Sequence, residues 1–155
     1  MASIDVGPGA EDRANAWVSA RTIYDENNPS NETGKITSVE LWMYSDGTGV
    51  RVGTAAFGGG TSSTPNDSTT IGNVTSGSKQ VFGGLNLDVE SGDLIGAYPA
   101  TGQFEYDNSG GTGMLNAVGD YLDSSTSFTR FSNYEFSIYG TGSTGKDRSF
   151  MVIIG

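Results

Sequence analysis

Between Lys79 and Glu90 the chain alternates, with Val81, Leu85, Leu87 and Val89 on one parity and Gln80, Asn86, Asp88 and Glu90 on the other. A period of two is the mark of a strand with one face buried and one face wet. Ser91-Gly92-Asp93 supplies turn chemistry, and Leu94-Ile95-Gly96-Ala97-Tyr98 reads as the returning strand, stopped by Pro99. The same pattern recurs upstream, where Val39, Leu41 and Met43 alternate with Glu40, Trp42 and Tyr44 and Asp46-Gly47-Thr48-Gly49 follows. Val50–Phe57 is therefore expected to return as the second arm of a hairpin. Further short strands are expected at 69–75, 103–107, 128–130, 134–140 and 149–154, with a loop from Gly58-Gly59-Gly60 to Asp67.

Helical periodicity is convincing nowhere, and the composition agrees: 24 of 155 residues are Gly, and Ser, Thr and Asn are abundant. The expected fold is all-β, an antiparallel β-sandwich of jelly-roll type with about eight to ten short strands. Residues 1–14, containing Gly7-Pro8-Gly9 and the charged Glu11-Asp12-Arg13, read as an N-terminal arm, and 15–155 as a single domain. Phe150–Ile154 is apolar on both parities, as in a strand covered on both faces or lying in a subunit interface.

The chain has no Cys and no His, which removes thiol nucleophiles, disulfides, His-assisted catalysis and the usual structural zinc sets. A net charge of −10 opposes phosphate backbones and anionic lipid, so neither nucleic acid nor membrane is an expected partner. Met1–Gly7 lacks the basic and apolar regions of a signal peptide, and the expected place of synthesis is the cytoplasm. The sequons at Asn31, Asn66 and Asn73 carry no meaning there.

Aromatic and acidic residues share the outward parity: Glu40, Trp42 and Tyr44 in one strand, Glu135 and Tyr139 in another. Such a face suits a protein interface or a platform on which sugar rings stack. Glu40, Glu105 and Glu135 are the only strand-interior glutamates that could serve as a glycosidase pair, and each also reads as an ordinary solvent-facing residue, so no catalytic residue is assigned. The acidic loops at Asp107 and Asp120 offer oxygen atoms but lack the spacing of a calcium loop. No metal and no cofactor is expected.

Gly34-Lys35-Ile36-Thr37-Ser38-Val39-Glu40-Leu41-Trp42, then Gly77–Phe82 leading to Leu87-Asp88-Val89-Glu90-Ser91-Gly92-Asp93-Leu94-Ile95-Gly96, resembles the jelly-roll domains of tailed-phage virion proteins, namely capsid decoration or cement proteins and fibre heads. The likeness spans roughly residues 34–140. The Gly-Asp-Leu-Ile-Gly stretch is also similar to secreted carbohydrate-binding sandwiches. The resemblance implies a non-catalytic structural or adhesive protein of the virion, usually a trimer, whose partner is a capsid or tail protein. The alternative is a carbohydrate-binding or lectin-like module whose ligands are surface glycans. Trp42, Tyr44, Tyr139, Glu40 and Glu135 are the candidate contact residues under either reading.

Overall fold

A computed structural model describes residues 2–144. The strand expected at Phe150–Ile154 lies outside them. The described chain is all-β and every strand-to-strand pairing is antiparallel. Thirteen strands form one hydrogen-bonded system, more than expected because several are only two to four residues long. In chain order they are β1 (Ser3–Gly9), β2 (Asn15–Ala16), β3 (Arg21–Asp25), β4 (Gly34–Ala56), β5 (Thr64–Val74), β6 (Lys79–Phe82), β7 (Leu87–Val89), β8 (Leu94–Tyr98), β9 (Thr101–Asp107), β10 (Gly113–Val118), β11 (Thr129–Ser132), β12 (Glu135–Phe136) and β13 (Ile138–Ser143).

The 23 residues of β4 organise the rest. Its first half joins β13, β6 and β7, with β1 beyond β13, and its second half joins β5 and β8, with β3, β10 and β11 beyond. The hairpin expected at Asp46–Gly49 is therefore absent. The chain bends there and carries on into a second sheet, because its second half finds a partner in β5 rather than in its own first half. Gly49 takes φ +57° at the bend, a left-handed conformation that glycine adopts without steric cost. The strand pair expected between 79–90 and 94–98 also dissolves, since β7 and β8 pair with opposite halves of β4.

The two sheets meet over Ile95 of β8. A side chain at Gly7 of β1 or Gly140 of β13 would lie 3.1 or 2.9 Å from it, so glycine there lets the layers close. One core gathers Ile4, Val6, Val39, Leu41, Leu87, Val89, Phe136 and Ile138 with Ile23, Val52, Ile95, Phe104 and Met114. At about 25 cal/mol per Å² of apolar surface removed from water, burial on this scale drives the folding.

Two expectations are corrected here. Val81 is 58% exposed, while its neighbour Phe82 packs against the core. Phe82 opposes Val39 and Leu87 opposes Ile36, so the Gly83-Gly84 segment between β6 and β7 bulges out and inverts the alternation. The N-terminal residues are not a free arm. Ser3–Gly9 pairs with β13, burying Ile4 and Val6, because those two residues carry the same alternation as any edge strand.

Candidate functional site

The expected contact residues divide between two places. On the outer face of the first sheet, Glu40 lies opposite Tyr139 on one side and Val81 on the other, and Trp42 lies opposite Lys79. Lys79 Nζ is 3.7 Å from Glu40 Oε1, and the Tyr139 hydroxyl donates to Asp5 Oδ2 at 3.1 Å. Burial, reinforced by the Asp5 and Glu40 carboxylates, pushes that phenol above its ordinary range. Beside it, Ser3, Asp5, Asn31 and Thr141 line a shallow groove of about 330 Å³. Tyr44, on the same parity, is 55% exposed. The Trp42 indole nitrogen is buried with no hydrogen-bond partner among the described residues. Such a donor costs free energy until something accepts from it.

Glu135 is elsewhere. Ser137 breaks the expected strand 134–140 into β12, which pairs with β9, and β13, which pairs with β1 and β4, so Glu135 and Tyr139 do not share a face. Instead Glu135 Oε2 lies 3.1 Å from Nη1 of Arg13, which also donates to Asp107 Oδ2 at 2.9 Å. Arg13 Nε donates to Ser137 Oγ at 3.0 Å and Nη2 to the Gly9 carbonyl at 3.1 Å. Glu105 accepts the Arg13 backbone N–H at 2.6 Å. Burial raises the Glu105 carboxyl, a push that this backbone donor opposes. Nothing in the spacing of Glu105 and Glu135 shows that they serve one residue, yet Glu135 pairs with the buried Arg13 guanidinium and Glu105 accepts from the Arg13 backbone. That is the chemistry of a staple fastening residues 9–14 to β9 and β12.

The acidic loops have similar partners. Asp107 belongs to the Arg13 staple, and Asp120 and Asp123 each accept from Arg51 at 2.7 Å. Among the described residues no three carboxylates converge as a metal-binding set.

A second aromatic group escaped the sequence reading. Trp17, just after β2, stands edge-on to Tyr106 at 4.9 Å and to Phe131 at 5.2 Å, while Tyr106 stacks on Tyr134 at 5.5 Å. The Trp17 indole donates to Asn116 Oδ1 at 3.0 Å. These rings come from three separate stretches of chain and all remain half-exposed. No periodicity within one strand reports such a cluster.

Set beside protein-family models, curated proteins and solved structures, the chain matches none of them.

Proposed function

We propose that this protein is a non-catalytic structural component of a virus particle, of the capsid decoration, cement or fibre-head kind, that assembles as a trimer and docks through the outer face of its first sheet. The observation that carries the docking role is the composition of that face: Tyr44 and Val81 more than half exposed, with Trp42, whose indole nitrogen meets no acceptor among the described residues, between Tyr44 and Glu40. Clustered aromatic and apolar side chains rimmed by Glu40, Lys79 and Asp5 fit the anatomy of a protein interface. The virion setting rests on the resemblance of residues 34–140. Non-catalysis is supported by the Arg13 staple, which holds Glu135 and Asp107 as ion-pair partners.

Light scattering at low and high salt tests the assembly. The expected mass is three times that of the 16.1 kDa chain, with association strengthening as salt rises, because chains of charge −10 repel and screening removes the repulsion. Tyr44→Glu is expected to shift the population to monomer. A monomer mass for the parent protein under both conditions, well above micromolar concentration, would refute the reading.

A further inference from the structure

Arg13, Lys35, Arg51, Lys79 and Arg130 each hold a carboxylate. Arg21 differs: its side chain makes no ion pair and no hydrogen bond with any described residue, in a chain with 18 acidic residues to choose from. Its position explains what it faces. The register places Arg21 and Ile23 of β3, Asn116 and Val118 of β10, and Thr129 and Phe131 of β11 on one face of the second sheet. Ile23 belongs to the core, and beyond it, at the ends of these strands, a groove of about 380 Å³ is lined by Arg21, Asn116, Val118, Thr129 and Phe131 from this face and completed by Ala117, Tyr121, Thr126 and Ser127 from the other side.

Asn116 is the second observation. Its side-chain oxygen accepts from the Trp17 indole, a group that can only donate, and this fixes the orientation of the amide. The Nδ2 group is left with two N–H donors that bond to no described residue, although Asn116 is only 6% exposed. The groove therefore offers a guanidinium fork and an oriented amide as surplus donors, the Thr129 hydroxyl, and an apolar wall of Phe131 and Val118. Donors in excess call for a ligand rich in oxygen acceptors. A cation with no partner among the described residues of an acidic protein calls for a negative charge on that ligand.

We infer that this groove binds a carboxylate-bearing saccharide unit, a uronate or a sialate. Arg21 takes the carboxylate through its planar fork, Asn116 and Thr129 bond the ring oxygens, and Phe131 and Val118 pack against the C–H face of the sugar. None of the docking-face residues takes part, so this inference and the proposed docking can fail separately.

The chain's two tryptophans make the test direct, since Trp17 touches the groove through Asn116 and Trp42 lies on the other sheet. In ¹⁵N–¹H spectra the protein is titrated with a glucuronate-terminated disaccharide, with sialyllactose, with the glucose-terminated counterparts of both, and with acetate. At least one acidic sugar is expected to shift the Trp17 indole and the amides of 116–118 and 129–131 saturably, leaving the Trp42 indole in place. The neutral sugars should bind at least ten-fold more weakly. Arg21→Gln is expected to weaken acidic-sugar binding ten-fold or more, with Arg21→Lys between it and the parent. Both variants should keep the parent's thermal midpoint, because the side chain supports no other described group. Four results would each overturn the inference: equal binding of neutral sugars, acetate binding as tight as the sugar acid, binding that survives Arg21→Gln, or no saturable shift with either acid.

Discussion

The two sheets carry apolar groups on their outer faces and deal with them in opposite ways. On the second sheet, Tyr24, Ala55, Leu94, Leu115 and Ala117 point away from the main core, and the chain covers them itself: the segment 119–128 lays Leu122 and Phe128 over them, with Phe57 alongside. Tyr24, Phe57 and Phe128 meet edge-to-face at 5.1–5.7 Å. Arg51 ties down Asp120 and Asp123, and Ser63 and Thr126 bond one another across the loops. On the first sheet, Trp42, Tyr44, Tyr139 and Val81 receive no such strap from the described residues, and Tyr44 and Val81 are more than half exposed among them. Among the described residues, ten cover the outer face of the second sheet and none cover that of the first, and the proposed docking takes this open face as its site.

The strap offers the strongest way to break this contrast. Phe128→Ala is expected to destabilise the fold by roughly 3–5 kcal/mol in urea unfolding, the range for an aromatic ring removed from a packed core. Leu122→Ala, at a site with no exposure, should cost about 2–5 kcal/mol. Near-parental stability of both variants would show that the segment lies over the sheet without forming core.

The second sheet also carries a pH signature. Asp25 of β3 is buried, and burial pushes its carboxyl from 3.8 up to about 7, against the opposing pull of hydrogen bonds from Phe136 N–H at 2.8 Å and Asn27 N–H at 2.7 Å. Since its folded-state value lies above the unfolded one, the folded state holds this proton more tightly. The contribution is complete below pH 3.8 and is lost as pH rises through 7, at most about 4 kcal/mol. Other carboxylates impose trends of their own, so the informative quantity is the difference from Asp25→Asn, whose stability should fall less than the parent's between pH 4 and 8. Parallel profiles would contradict the assignment.

The smallest effect belongs to the first sheet. Val81→Ala is expected to change stability by no more than about 0.5 kcal/mol, as an exposed side chain should. A loss of 2 kcal/mol or more would place Val81 in the core after all.

What was legible in the sequence followed from one-sided burial. Val39, Leu41, Leu87, Val89, Phe136 and Ile138 alternate in the sequence with polar or amphipathic residues, and all six are buried as expected. β3 and β10 went unread for the converse reason. Ile23 faces one core and Tyr24 the other, Met114 one and Leu115 the other, and burial on both sides erases the period of two. Val81 was misplaced because alternation was carried across Gly83-Gly84, where the strand is interrupted. Glu40, Trp42 and Tyr139 were legible as one face because β4 and β13 are neighbours. Glu135 and the Arg13 staple were not, because Glu11-Asp12-Arg13 looks like a solvated terminus until Asp107 and Glu135 arrive from about a hundred residues downstream.

The proposed docking face of the first sheet is tested most directly by hydroxyl-radical footprinting across a dilution series, comparing Trp42 and Tyr44 with Trp17 and Tyr121. A face reserved for other molecules predicts that Trp42 and Tyr44 lose reactivity several-fold as concentration and salt promote assembly, while Trp17 and Tyr121 keep theirs. Reactivity of Trp42 and Tyr44 that stays constant from the most dilute to the most concentrated sample would contradict the account.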